Sequence, residues 1–239
     1  MKFSHLPRIY ISEHVYKRQT IIIEKDNFYY LKSVMKIRKF ETFRLFNSQD
    51  GEFLVTVKEI NRASLEVEVN SQMRDINQEK DLELALCIIK QDRMIEVIKS
   101  AVQLGVTRII PIISSRTQYK QISREKIQKC IIQSVQQSER FSVPALEQEL
   151  NLTDFGKKYN NQQIIFACES ESEDEKISSI SVIQDKPIVL IGPEGGFNDQ
   201  EISMIKSMSN AESVSLGRTV LRSEVAAASA LACVSMIRS

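Results

Sequence analysis

The chain has 239 residues, 42% of them apolar, which is enough for one large domain or two modest ones and too apolar for a globally disordered chain. Its 32 basic and 31 acidic residues leave a formal net charge of +1, so a nucleic-acid surface has to be a local patch and not a global field. The four cysteines, Cys87, Cys130, Cys168 and Cys233, have no CxxC spacing and only His5 and His14 could add imidazole ligands, which argues against a zinc site; all four read as reduced, three of them in apolar runs that suit small core residues, in a reducing compartment.

The first residues, MKFSHLPRIYISEHVYKRQT, lack an uninterrupted apolar core of a signal segment, and no apolar run approaches the length that spans a bilayer. A cytoplasmic protein without a membrane partner is expected. Residues 1–72 then carry short runs rich in β-branched and aromatic residues: TIII at 20–23, FRLF at 43–46, EFLVTVKEI at 52–60 and SLEVEVN at 64–70. In the last run Leu65, Val67 and Val69 alternate with Glu66 and Glu68, the period of a half-buried strand. Asp50-Gly51 marks a turn between two runs, and this region reads as a small antiparallel barrel or sandwich.

The polar stretch MRDINQEKD at 73–81 marks the domain boundary, with domains at 1–72 and 73–239. Beyond it, apolar runs alternate with helical periods: LELALCII, a helix near 92–104, TRIIPII, a helix near 123–140, QIIFAC, PIVLIG, a helix near 199–208, ESVSL and a helix near 222–237. Continuous apolar strands separated by helices predict a mostly parallel sheet covered on both faces. The acidic run ESESEDE at 169–175 reads as a solvated loop.

Two glycine-bearing breaks follow apolar runs near the C-terminus, VLIGPEGGFNDQEI at 189–202 and SLGRTVLRSE at 215–224. In open parallel sheets ligands bind beyond the carboxyl ends of the strands, which is where these breaks fall. Glycine allows positive φ and lets main-chain groups approach a ligand, and Asn198 with Glu201 three residues on forms a helix-capping pattern. The first break lacks the lysine and hydroxyl of a phosphate-binding GxxxxGK[ST] loop, and its position late in the chain does not fit a Rossmann turn. A tight turn that binds nothing is the plain alternative.

The strings IGPEGGF at 191–197 and LGRTVLRSEVAA at 216–227 resemble the two C-terminal motifs of the RsmE family of 16S ribosomal RNA uridine N3-methyltransferases, members of the SPOUT superfamily. The resemblance extends to DRMIEVIKSAVQLGV from 92, SSRT at 114–117, QQSERFSVP at 136–144, PRIYI at 7–11 and YLKSVMKI at 30–37. It implies an α/β protein with a small N-terminal PUA-like β-barrel and a C-terminal domain whose last part is threaded into a trefoil knot. It further implies S-adenosylmethionine (SAM) held by the backbone of both loops, with contacts at Leu190, Ile191, Gly192, Gly195, Gly196, Leu216, Gly217, Val220 and Leu221. Where relatives commonly carry arginine before a VLR string this chain has Ser33 followed by Val34-Met35-Lys36, and Gln103 and Gln136 stand where glutamate is frequent.

Methylating uridine N3 requires loss of an imide proton and stabilisation of charge on the pyrimidine oxygens. Arg222 and Glu224, just beyond the second loop, are the candidate catalytic pair. The expected RNA-facing residues are Arg8, Lys36, Arg38, Arg116, Gln137 and Arg140, beside a local basic patch of Lys32, Lys36, Arg38, Lys39 and Arg44. The partner expected is 16S rRNA, the oligomer a homodimer packed through the small apolar helix VAAASALACVSMI, and no metal is expected. A non-catalytic RNA-binding protein on the same fold, and a SPOUT methyltransferase with another RNA target, stay open as alternatives.

Overall fold

A computed structural model of the chain describes residues 5–168, 177, 180 and 182–238, so the acidic run at 169–175 lies outside the described residues. The chain divides into two compact units, one of Met1–Gln78 with Val135–Val143 and one of Glu79–Ser134 with Pro144–Ser239.

In the N-terminal unit, β1 (Arg8–Tyr10), β2 (Thr20–Glu24), β3 (Thr42–Asn47), β4 (Gly51–Ile60) and β5 (Ser64–Arg74) form one sheet in the order β1-β3-β4-β5-β2. Only the β1–β3 pair is parallel; the other neighbours are antiparallel. The period-two pattern has its expected effect: Leu65, Val67 and Val69 of β5 are buried with Phe43, Leu45, Val55 and Val57 from the neighbouring strands. Between β2 and β3 the chain forms a short helix α1 (Lys25–Tyr29) and a π-helical turn (Tyr30–Val34), which seat Phe28 and Leu31 in the same core. The β3–β4 turn is built by Asn47, whose side-chain oxygen accepts from the N–H groups of Gln49 and Asp50 at 2.9 and 2.6 Å.

The sheet does not end where the composition changes. β5 continues to Arg74, and the chain returns to this unit for Val135–Val143. Its return is held by charge. Glu52, 1% exposed, takes Arg8 Nε at 2.5 Å and Arg74 Nε at 2.7 Å. Glu139 takes Arg44 Nη1 at 2.8 Å and Arg74 Nη1 at 3.1 Å. Arg8 also donates to the carbonyls of Val135 (2.9 Å) and Arg140 (2.8 Å), and its guanidinium stands 3.4 Å from the Phe46 ring centroid. Gln136 Oε1 accepts from the N–H of Tyr10 at 3.1 Å, and Phe141 lies edge-on to Phe46. Two segments far apart in the chain are thus locked together by paired, hydrogen-bonded charges, the only state in which buried ions are tolerated.

In the second unit every strand runs parallel: β6 (Glu83–Cys87), β7 (Arg108–Ile113), β8 (Ala145–Leu146), β9 (Leu150–Asn151), β10 (Ile164–Ala167), β11 (Ile188–Ile191) and β12 (Ala211–Val214). The order is β12-β10-β11-β6-β7-β8, with β9 also on β7. β6 and β11 are buried throughout, as a sheet covered on both faces demands. Helix α2 (Gln91–Gln103) buries Met94, Val97, Ile98, Ala101 and Val102, one helical stripe, and packs on α6 (Ser223–Ile237), which buries Ala227, Ala230, Leu231 and Val234. Helix α3 spans Arg124–Gln137 and stops short of residue 140, because the chain turns left-handed at Glu139 (φ 59°). Helices α4 (Leu152–Lys158, capped by Asn151) and α5 (Asp199–Lys206) complete the unit. No helix among the described residues is long and apolar enough to cross a membrane.

Candidate active site

Because the strands of the second unit are parallel, the loops leaving β7, β11 and β12 emerge at one edge of the sheet. After β11 the chain makes a tight turn closed by Gly196 N–H donating to Pro193 O at 2.9 Å. It then enters α5 through a complete capping box: Glu201 N–H donates to Asn198 Oδ1 (2.8 Å) and Asn198 N–H to Glu201 Oε2 (3.0 Å).

That carboxylate has a second task. Ser115, in the turn after β7, donates its N–H to Glu201 Oε1 at 2.7 Å and its hydroxyl to Glu201 Oε2 at 2.9 Å, while Asn198 Nδ2 donates to Ser115 Oγ at 2.9 Å. Arg116 Nη1 donates to Gly195 O at 2.7 Å, with Phe197 O at 3.4 Å. Arg93 of α2 pairs with Glu194 at 2.9 Å. The glycine loop is therefore clasped from outside by side chains, and its Phe197 ring packs edge-on to Phe166 from within, centroids 5.4 Å apart.

The loop after β12 is joined to the first. Ser223, the opening residue of α6, donates its hydroxyl to Gly192 O at 3.2 Å. Gly217 has φ +122° and Gly196 φ +66°, conformations that side-chain-bearing residues rarely adopt. A Cβ added at either glycine would meet no atom within 4 Å among the described residues, so open space and not internal crowding borders these two turns. Val220 stands 79% exposed on the second loop, with Leu216 and Leu221 half-buried beside it in sequence. Leu190 and Ile191 are core residues of β11, so they can face a ligand only through main-chain groups. Arg222 is the exposed N-cap of α6 and Glu224 lies in its first turn. Glu224 Oε2 is buried without a hydrogen-bond partner among the described residues, an uncommon state for a carboxylate oxygen at a helix N-terminus.

The RNA-facing expectations separate. Lys36, Arg38 and Gln137 are exposed. Arg140 is half-buried, with Nη2 on Ser142 Oγ at 2.8 Å. Arg116 is exposed but engaged with the glycine loop. Arg8 is a correction: only 5% exposed, it is an internal ion-pair residue and not a surface cation. Burial pushes its guanidinium down to about 10, and Glu52 keeps it charged at neutral pH. Ser115, Glu194 and Glu201 are not among the expected site residues; their trace in sequence is the SSRT string for Ser115, the IGPEGGF string for Glu194 and the capping pattern for Glu201.

A model for the RNA methyltransferase domain family matches residues 77–235. A ribosomal RNA small subunit methyltransferase E from Rickettsia conorii is 36% identical over 235 residues, covering 97% of this chain and 96% of the relative. The chain belongs to the ribosomal RNA small subunit methyltransferase E family. Two solved structures resemble this family member over nearly their whole length. A methyltransferase from Legionella pneumophila in complex with bound SAM has a TM-score of 0.85 and 26% identity, covering 96% of this chain and 97% of its own. A ribosomal RNA small subunit methyltransferase E from Neisseria gonorrhoeae bound to SAM has a TM-score of 0.83 and 25% identity, covering 95% and 96%.

Proposed function

We propose that the chain is a SAM-dependent methyltransferase that modifies N3 of a uridine in the 16S rRNA of the small ribosomal subunit. The observation that carries this reading is the pair of glycine loops joined through Ser223 and Gly192, with open space beside Gly196 and Gly217. The SAM bound in the two structural neighbours and the likeness to a small-subunit rRNA methyltransferase support it. The site fits the cofactor: main-chain groups at Gly192, Gly195, Gly196 and Gly217 can approach adenosine and methionine polar atoms, while Leu216, Val220 and Leu221 offer apolar surface to the ring. In this reading the two loops belong to a trefoil knot, and the five-stranded sheet is a PUA-like barrel that engages RNA. In this reading the protein works in the cytoplasm as a homodimer packed through α6, and light scattering should give a mass twice the 27.4 kDa of one chain.

When bound, SAM supplies a sulfonium methyl group for transfer to a nitrogen nucleophile. The chain itself has to remove the N3 proton and hold the pyrimidine. Glu224, in the first turn of α6, takes the proton through its carboxylate. Arg222 lies two residues away, exposed at the head of the same helix, and holds a pyrimidine oxygen where charge develops. Lys36, Arg38 and Gln137 contact the RNA backbone.

The test is methyl transfer from labelled SAM to small subunits from cells lacking this protein, followed by nucleoside mass spectrometry. 3-Methyluridine in 16S rRNA is expected. Absence of SAM binding by calorimetry would leave a non-catalytic RNA-binding protein, and label on a different nucleotide would move the assignment to another RNA target.

A further inference from the structure

Phe40 stands 70% exposed and its backbone is left-handed at φ +70°, a conformation that a bulky side chain adopts only under constraint. The constraint is visible. Phe40 N–H donates to Val57 O at 2.9 Å, and upstream the chain is tied down by Met35 N–H to Tyr30 O and Ile37 N–H to Leu31 O, both 3.0 Å, with Ile37 buried in the core. Lys36, four residues earlier, is also left-handed and exposed. A phenylalanine in this state contributes little to the core and carries a main-chain strain that glycine would not.

The surroundings give the ring a purpose. Lys32, Lys36, Arg38 and Lys39 are all exposed in the same short stretch, opposed by Glu41 and by Glu59, whose carboxylate pairs with Lys39. Lys39 Nζ lies 5.3 Å from the Phe40 ring centroid. A pinned backbone that presents one aromatic ring among cations matches an unpaired nucleotide, whose base stacks on the ring while its phosphates meet the lysines. A-form duplex offers the phosphates without a free base face.

We infer that Phe40 is a base-stacking residue for an unpaired nucleotide of the RNA substrate. This rests on the proposed action on rRNA and names a contact within it.

The chain contains no tryptophan, so Phe40→Trp installs a single indole at the position in question. Titration with oligouridylate should quench its fluorescence, whereas an A-form RNA duplex at equal phosphate concentration should quench it far less. Phe40→Gly should weaken oligouridylate binding roughly tenfold, the size of one lost stacking contact. Its Tm should be unchanged or higher, since glycine relaxes the left-handed backbone. Equal quenching by duplex, wild-type affinity in Phe40→Gly, or a lowered Tm in that variant would each overturn the inference. So would quenching by phosphatidylserine vesicles alone, which would make the patch a membrane surface. Wild-type methyl transfer to 16S rRNA, measured in parallel, keeps the two readings apart: an inactive wild type removes the rRNA activity, while an active wild type matched by Phe40→Gly removes only the stacking role.

Discussion

At the scale of single residues, the second glycine loop puts binding and chemistry on neighbouring positions. Gly217 and Leu221 precede the helix, whereas Arg222 and Glu224 belong to its head. Arg222→Ala and Glu224→Gln should therefore keep SAM affinity within about threefold while losing on the order of 100-fold or more in single-turnover methyl transfer. Single-turnover assays at saturating SAM read that loss directly. A Glu224→Gln enzyme as fast as wild type would remove the residue from the mechanism. Residue type alone did not decide such roles. Arg8 and Arg222 are both arginines in matched strings, yet one is sealed beneath Glu52 and Phe46 and the other stands in solvent.

At the scale of elements, the glycine loop is short of side chains of its own and depends on its neighbours for shape. The turn after β7 supplies Ser115 and Arg116, and α5 returns the Glu201 carboxylate to Ser115. Arg116→Ala should loosen the carbonyls of Gly195 and Phe197 and weaken SAM binding about 5- to 20-fold, the loss of one or two hydrogen bonds to a charged donor. Oligouridylate affinity should change by less. The reverse pattern, intact SAM binding with lost RNA affinity, would return Arg116 to the RNA-facing role expected of an exposed arginine. Calorimetry on the same variant preparation reads both.

At the scale of the whole molecule, the chain is two units joined in an order that linear division at residue 72 does not describe, since Val135–Val143 belongs with the first. Glu52→Gln leaves Arg8 and Arg74 without their shared anion and should cost about 3–5 kcal/mol, the penalty for breaking a buried pair, read as a lower urea midpoint. SAM affinity, a property of the other unit, should stay unchanged in that variant. Glu139 gives the pH dependence. Partial burial alone would push its carboxyl up, but the hydrogen bond and charge of Arg44, with Arg74 and Arg8 behind, hold it below the ordinary carboxylate range. Its contribution is thus fully present above the ordinary carboxylate pKa and is lost as pH falls through the depressed value. Glu139→Gln should flatten that acid limb of a stability-versus-pH curve, and an unaltered limb would show that the segment is held by other contacts.

Much of this architecture was legible in the chain itself. Alternation at Leu65, Val67 and Val69, continuous apolar runs at β6 and β11, and the 94, 97, 98, 101, 102 stripe of α2 specify local conformation and a buried face, because strand and helix periods are properties of adjacent residues. The glycine breaks after β11 and β12 were legible for the same reason. What the tertiary structure decided is which distant partner each charged group meets. Arg8 and Val135 are separated by 127 positions, Ser115 and Glu201 by 86, and no local period reports such a pairing. A guanidinium reads alike in sequence whether it will meet water, a carbonyl or a buried carboxylate. Only the return of residues 135–143 to the first sheet makes Arg8 an internal cation, and only the parallel strand order brings the β7 turn alongside the glycine loop.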